Sequence, residues 1–134
     1  MANKKTETHQ YLSNYGGGYV RPDQWITEKL CALIAKKEGG ELPDKFWNFP
    51  KWQKLFRRQV QMASSLLLIY DVHAVAAALR DKRLYNVRSF GAFSSVKFFS
   101  SVLEEYQSKH DVEISEFKSA KNELQTRGTT VMPN

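Results

Sequence analysis

Residues 51–65 contain polar side chains that recur at steps of three and four, which places them on one face of a helix. No acidic residue occurs between residues 50 and 70, so cations on this face repel one another, at about 0.2–0.5 kcal/mol per pair. Lysine and arginine contact phosphates, and an unneutralised row of them indicates an anionic partner. We call these cations the basic face: Lys51, Lys54 and Arg58, with Arg57 on the flank, followed in register by Gln61 and Ser65.

A second group of cations follows where the helical periodicity is lost. We call it the loop cluster; its residues are Arg80, Lys82, Arg83 and Arg88. Tyr85 and Phe90 are interleaved with it, and exposed rings stack on unpaired bases. Together the two groups predict a nucleic-acid-binding surface with little base specificity, in which Tyr85 is the stacking ring. The alternatives are that the rings anchor the loop to the core, and that the cations pair with the acidic segment 104–123.

The side chains that could support catalysis or hold a metal ion are scattered. Cys31 and the three histidines show none of the spacings that structural zinc requires. Asp71 and His73 are two residues apart near a helix start, so their side chains diverge instead of forming a relay. The glycines at 16–18 lack the lysine and hydroxyl residue of a phosphate-binding loop. We therefore expect a non-catalytic protein without a metal, a cofactor or a small-molecule substrate.

The net charge of +6 is concentrated in the middle of the chain. Residues 1–44 are neutral, residues 45–97 hold ten basic and two acidic side chains, and residues 98–134 hold four basic and six acidic ones. A regional excess of this kind attracts polyanions. The longest apolar run, 66–70, is too short to cross a bilayer, the first residues lack a signal-peptide pattern, and a single cysteine excludes an internal disulfide. We expect a cytoplasmic protein without a membrane partner.

The basic face requires a long helix, and the sequence predicts one over residues 50–70. Proline is favoured at a first helical position, and Asn48 or Phe49 provides the cap. An earlier helix begins near Pro22 and stops at the glycines 39–40. Both helices carry apolar residues at helical spacing, so each has a face that packs on a core.

The remaining elements are shorter or weaker. Asp71 caps a third helix, and residues 81–91 form a loop with at most one helical turn. A fourth helix is predicted over 93–107. A weaker fifth segment, 115–127, ends at Gly128.

The sequence therefore predicts an all-α fold, a compact bundle of four to five helices. No alternating pattern of strand type competes with the helices, and no internal repeat occurs. Three regions are expected: a flexible N-terminal arm over residues 1–20, a helical domain over residues 21–107, and a weakly helical acidic segment with a polar tail over residues 108–134.

Residues 52–93 resemble a helical module of phage and plasmid replication-accessory proteins. The resemblance implies a helper at a replication fork that touches DNA or a replication protein. The module usually has aromatic residues shortly after the position of Asp81, where this chain has Lys82, Arg83 and Leu84. The matching residues are Trp52, Arg57, Arg58, Leu66, Leu67, Tyr70, Asp71, Val75, Ala78, Leu79, Asp81, Val87, Ser89 and Phe93.

Two functions remain open at this point. The first is a nucleic-acid-binding accessory protein of viral or mobile-element type. The second is a protein-interaction or structural subunit, or a regulator, within a larger assembly, because aromatic residues of the kind found at 46–49 are enriched at protein interfaces. A continuous basic groove favours the first function. An exposed apolar patch made of Tyr11, Tyr15, Tyr19 and Trp47 favours the second.

Overall fold

A computed structural model describes the backbone of residues 4–131 and the side chains of residues 4–120. Residues 1–3 and 132–134, which belong to the expected arm and tail, lie outside the described residues. The described chain is mostly helical, which confirms the all-α prediction, and it contains no helix long and apolar enough to cross a membrane. The elements are β1 (Tyr11–Leu12), β2 (Tyr19–Val20), α1 (Pro22–Lys37), α2 (Pro50–Leu66), α3 (Val72–Leu79), α4 (Ala92–Ser95) and α5 (Lys97–Val131), with 3-10 turns at Phe46–Asn48 and Lys82–Leu84.

The first predicted helix is confirmed, and α1 lies at the centre of the fold, in contact with both α2 and α3. Its Ile26, Leu30 and Ile34 recur at steps of four and are buried in the core. Gly39 ends the helix with a φ of 81°, a conformation that glycine adopts without steric cost. Its N–H donates to the carbonyl of Lys36 at 3.0 Å.

α1 and α2 are antiparallel, as polar contacts at their two ends show. The hydroxyl of Ser64 donates to Asp23 at 2.5 Å, which joins the end of α2 to the start of α1. At the opposite end, Lys51 pairs with Glu38 at 3.2 Å. Between these contacts α2 buries its apolar stripe and exposes the basic face, so the predicted register of this helix is confirmed.

The C-terminal end of α2 comes earlier than predicted. The helix ends at Leu66, and the following residues form a turn in which the N–H of Tyr70 donates to the carbonyl of Leu66 at 3.0 Å. Asp71 is extended and accepts a hydrogen bond from the N–H of His73 at 2.8 Å. The predicted cap of α3 is therefore confirmed, and the turn that precedes it explains why α2 stops before residue 70.

The N-terminal end of α2 has no side-chain cap. Phe49, one of the two predicted residues, occupies the cap position, so the alternative assignment to Asn48 is wrong. Pro50 follows it at the first helical position. Because proline has no N–H, one of the four N–H groups that lack a backbone partner at the start of a helix is missing here.

The predictions of separate helices over 93–107 and 115–127 are wrong. α4 covers only Ala92–Ser95, Val96 is extended, and α5 then runs unbroken from Lys97 through the predicted fifth segment. No glycine or proline occurs between residues 97 and 127, so nothing in the backbone interrupts the helix. Gly128, expected to end the segment, lies within α5, where glycine costs only about 1 kcal/mol relative to alanine.

The prediction that strands are absent is wrong within the segment expected to be a flexible arm. β1 and β2 form an antiparallel hairpin in which Tyr11 lies opposite Val20. Gly16 and Gly18 in its turn have φ values of 83° and 67°, which glycine tolerates. Tyr11 stacks on Trp25 of α1 with ring centroids 4.7 Å apart. The glycine run is thus part of a turn that is held against α1.

A buried glutamine fastens the loop between α3 and α4 to α2. Gln59 is only 2% exposed; its Oε1 accepts from the N–H of Phe90 at 2.8 Å, and its Nε2 donates to the hydroxyl of Ser89 at 3.0 Å. Leu84, Val87 and Phe90 are buried in the same core as α1. Phe90 therefore anchors the loop, which was one of the alternatives for the rings of this segment.

Replacement of Gln59 by leucine should destabilise the fold by about 1–3 kcal/mol, because the buried N–H of Phe90 loses its acceptor. Urea denaturation of the two proteins measures the difference. Gln61→Leu is the matched control, since Gln61 is exposed on the same helix and its replacement should change the free energy of unfolding by at most about 0.5 kcal/mol. Equal stability of the two variants contradicts the proposed anchor.

Candidate nucleic-acid interface

Three cations of the basic face are exposed and unpaired. Lys54, Arg57 and Arg58 take part in none of the ion pairs formed by the described residues. Lys51 differs from them because it pairs with Glu38. The charge of the first three is therefore available to a ligand, whereas that of Lys51 is partly neutralised.

Arg83 of the loop cluster is held by acidic side chains. Its guanidinium donates to Asp81 at 3.0 Å and to Glu105 of α5 at 2.9 Å. Asp81 also accepts from the hydroxyl of Tyr106 at 2.7 Å, and the hydrogen bonds from Arg83 and then Tyr106 hold the pKa of Asp81 well below its ordinary value. Pairing with the acidic segment 104–123 is thus confirmed for Arg83, which makes it the least available cation of the loop cluster.

Other members of the loop cluster lie at an open cleft. Arg80, Lys82 and Tyr85 line a cavity of about 630 Å³ between α1 and α3, which we call the α1–α3 cleft. α1 contributes Lys29 and Lys36 to its wall. Apolar side chains complete much of the lining: Ala32, Leu33, Ala76 and Leu79. The cleft therefore combines a cationic rim with an apolar surface, as small-molecule sites commonly do.

Lys29 shows that the cations of this cleft are crowded. Its Nζ lies 4.2 Å from the ring centroid of Trp25. Partial burial, and then the positive charge of Arg80, lower the pKa of Lys29 from its ordinary value. No carboxylate forms an ion pair with either cation among the side chains that the structure describes. An anion between Lys29 and Arg80 would relieve their mutual repulsion.

The C-terminal turn of α1 joins the basic face to the loop cluster. Lys36 lines the α1–α3 cleft. Lys37 donates to the carbonyl of Val87 at 3.3 Å and lies 5.3 Å from the ring centroid of Tyr85. Burial, and then the charge of Arg88, lower the pKa of Lys37. Glu38, the residue that follows α1, pairs with Lys51 of the basic face. The basic face and the loop cluster therefore meet around the C-terminal end of α1, an adjacency that the sequence left undetermined.

Sequence reasoning did not assign the cations of α1 to the site. Lys29 and Lys36 are seven residues apart, about two helical turns, and Trp25 lies one turn before Lys29, so their shared face was visible in the spacing. What the spacing could not show is that α3 places Arg80 opposite this face. The missing information was the tertiary arrangement of α1 and α3.

Glu28 places a buried carboxyl at the edge of the cleft. The side chain is 2% exposed and accepts from the hydroxyl of Ser13 at 3.0 Å and from the amide of Gln24 at 3.3 Å. Burial raises the pKa of Glu28, and these hydrogen bonds only partly oppose the rise. The carboxyl also ties the β1–β2 hairpin to α1, because Ser13 belongs to the hairpin turn.

The aromatic residues proposed as a protein-docking patch pack within the fold. Tyr11 stacks on Trp25. Tyr15 packs edge-on against Phe46 with centroids 5.3 Å apart, and Trp47 contacts the same ring at 5.3 Å. These three rings are half-buried and hold the hairpin and the linker on the helices. They leave no extensive exposed patch at this position among the residues described.

The remaining reactive side chains are a buried thiol and dispersed carboxyl and imidazole groups. Cys31 is fully buried, and burial, followed by the charge of Glu28, raises its pKa to about 12, so the thiol stays protonated. Within the described part of the chain, no group of three or more His, Cys, Asp or Glu side chains could hold a metal ion.

Fold and site together define a small all-α protein with a basic surface that wraps around one helix end. The chain matches no protein-family model, no curated protein and no solved structure. The resemblance of residues 52–93 to replication-accessory modules therefore stays a prediction.

Replacement of Glu28 by glutamine tests the cost of this buried carboxyl. Because its pKa is raised in the folded state, its contribution to stability is present at acidic pH and is lost as the pH rises through the folded pKa. A glutamine keeps an acceptor for Ser13 but carries no charge. We expect the variant to gain stability relative to the original chain as the pH rises from about 4.5 to about 8, measured by urea denaturation. Glu113→Gln, at an exposed position, should show no such trend. If the difference in free energy of unfolding between Glu28→Gln and the original chain is the same at every pH, the raised pKa of Glu28 is contradicted.

Proposed function

We propose that this protein is a small, non-catalytic nucleic-acid-binding accessory protein. The observation that carries the proposal is the unpaired state of Lys54, Arg57 and Arg58 on the exposed side of α2. By contrast, Lys51 of the same face and Arg83 of the loop cluster pair with carboxylates. A row of cations left without partners is suited to a ligand with regularly spaced negative charges, which is the chemistry of a phosphate backbone.

The loop cluster extends this surface around the end of α1. Arg88 is exposed and close enough to Lys37 to lower its pKa, while Arg80 and Lys82 line the α1–α3 cleft. Tyr85 is 49% exposed and is the ring of this group that a base can reach. The concentration of charge in residues 45–97 supports the same partner, because it attracts polyanions over a distance.

The resemblance of residues 52–93 supports a more specific role in phage or plasmid replication, in the cytoplasm of a host cell. In that role the protein binds DNA at a replication fork or assists a replication protein there. The loop cluster and all of the basic face except Lys51 lie within the resembling segment, so the proposed DNA contacts and the proposed role concern largely the same residues.

Charge reversal at Arg57 and Arg58 should abolish binding to nucleic acid and leave the helicity of the protein unchanged. Fluorescence anisotropy of labelled single-stranded and double-stranded oligonucleotides, in a salt series, measures the affinity. The neutral variant Arg57→Gln/Arg58→Gln should lower the slope of log affinity against log salt by about 1.4 on single strands, since each lost phosphate contact removes about 0.7.

The control is Lys109→Glu/Lys118→Glu, which changes the net charge equally at exposed positions of α5. Lys109→Gln/Lys118→Gln is a second control, which matches the charge change of the neutral variant at the same positions of α5. Both controls should bind like the original chain. Equal losses in the α2 and α5 variants would show a general charge effect and contradict the assigned site; no binding by the original chain at low salt contradicts the function itself.

A second candidate is a protein-interaction or structural subunit, or a regulator, in a larger assembly. The observation that favours it is α5, in which every side chain from residue 111 to residue 120 is exposed. Ile114 and Phe117 are adjacent on this helix, and Phe117 is 67% exposed. Apolar side chains on an unpacked helix are suited to a helical partner.

Substitution of both Ile114 and Phe117 by glutamate should weaken self-association, because it places charge on the apolar side of α5. Sedimentation equilibrium over a range of concentrations measures the effect, and circular dichroism checks that helicity is retained. A chain that is monomeric at every concentration contradicts assembly through a second copy and leaves nucleic-acid binding unaffected.

A further inference from the structure

We propose that the α1–α3 cleft binds a single unpaired nucleotide unit, with its phosphate between Lys29 and Arg80 and its base against Tyr85. The inference deepens the proposed function, since it names what part of a nucleic acid this surface takes up. It also departs from the expectation that the protein has no small-molecule ligand, because a free nucleotide offers the same phosphate and base as a nucleotide within a strand.

The phosphate position rests on two cations that lie near each other without a shared counter-ion. Arg80 is exposed at the end of α3 and lines the cleft together with Lys29. The positive charge of Arg80 lowers the pKa of Lys29. The ammonium of Lys29 lies over the ring of Trp25 and forms no ion pair. Lys82 lies beside Arg80 in the lining. A phosphate accepts hydrogen bonds from guanidinium and ammonium groups at once, so it neutralises this repulsion directly.

The base position rests on the rings of the cleft and on its apolar lining. Trp25 is already engaged by Tyr11 and by the ammonium of Lys29. Tyr85 is half exposed, with the ammonium of Lys37 at 5.3 Å from its ring centroid, so its ring can accept a stacked base. Leu33 and the neighbouring alanines provide an apolar surface for the rest of the base.

The size and polarity of the cleft fit a ligand of this class. Its volume of about 630 Å³ lies within the range of about 300–1,000 Å³ that is typical of small-molecule sites. Two carboxyls, those of Asp81 and Glu28, also line it. Arg83 and Tyr106 already bind the carboxylate of Asp81, and burial raises the pKa of Glu28, so both carboxyls repel an anion less than free carboxylates do. The exposed side chain of Asn14 supplies a hydrogen-bonding group at the same cleft.

A second depression continues the cleft toward the end of α1. It has a volume of about 590 Å³ and shares Tyr15, Ala32 and Lys36 with the first. Its remaining lining, residues 39–42, follows α1 directly. A strand that leaves the cleft in this direction reaches the helix end where Lys37 meets the loop cluster. The arrangement favours single-stranded nucleic acid, because paired bases in a duplex cannot enter a cleft of this size.

The test measures the affinity of the full chain for thymidine 5′-monophosphate, for thymidine and for inorganic phosphate, using tryptophan fluorescence. We expect the nucleotide to bind at least about tenfold more tightly than either part alone, since each charge-assisted hydrogen bond contributes about tenfold. Trp25→Phe should reduce the fluorescence change, because Trp25 is the tryptophan that lines the cleft, and equilibrium dialysis measures the affinities independently of fluorescence.

Two variants address the cleft itself. Lys29→Gln/Arg80→Gln should weaken nucleotide binding by at least about tenfold, and Tyr85→Leu should weaken it by at least about fivefold, because stacking contributes about 1–3 kcal/mol per base. Lys109→Gln is the control, because it removes an exposed cation of α5 that does not line the cleft, and it should leave the affinity unchanged. Circular dichroism checks that each variant is folded.

An oligothymidylate distinguishes the two sources of the ligand. If the free nucleotide does not bind but the cleft variants weaken oligothymidylate binding, the unit is taken from a strand and the proposal is supported. If Arg57→Glu/Arg58→Glu no longer binds the oligothymidylate but still binds the free nucleotide, the cleft is a nucleotide site and the basic face adds contacts to the rest of the strand. Cleft variants that bind both probes like the original chain overturn the proposal, while the proposed function stands on the basic face. If the original chain binds neither the nucleotide nor the oligothymidylate, the nucleotide site and the proposed function are both overturned.

Discussion

The hydrogen bonds of Gln59 set the course of the chain between α3 and α4. A buried amide must find partners for its donor and its acceptor, because an unpaired polar group in a core costs about 1–3 kcal/mol. Gln59 finds them in Ser89 and Phe90, and this fixes an irregular loop against a regular helix. The loop then buries Leu84 and Val87, on either side of the exposed Tyr85. The position of the ring at the cleft thus depends on a contact that involves no residue of the cleft.

The electrostatics of the surface follow from which cations find a carboxylate. Arg83 meets Glu105 because α5 packs beside the 3-10 turn that carries it. The cations Lys29, Arg80 and Lys37 form no ion pair with a carboxylate among the described side chains, and the repulsion of Lys29 by Arg80 and of Lys37 by Arg88 is retained in the folded protein. A surface of this kind stabilises the fold less than a fully paired one, and it gives an anionic ligand a larger gain in free energy on binding.

Much of the architecture could be predicted because its signals are local. Pro22 marks the start of α1 and Gly39 marks its end, and Asp71 caps α3. The spacing of cations on α2 placed the basic face on the exposed side. The error at the hairpin arose because the decisive interaction is not local, since the strands are too short to show an alternating pattern and are held by stacking on Trp25. The cleft escaped prediction for the same reason, since it exists only where α1 and α3 face each other. The error at α5 was local, because no glycine or proline between residues 97 and 127 stops the helix.

The length of α5 also separates charge in space. At 1.5 Å per residue its 35 residues span about 52 Å, and its exposed part from residue 111 to residue 120 carries three carboxylates against one lysine. The strongly positive residues 45–97 lie in the body of the fold. The exposed segment from residue 111 to residue 120 therefore carries negative charge away from the positive body of the fold. For the polyanion proposed as the ligand, repulsion by this segment and attraction by the body together favour an approach in which the body makes the first contact.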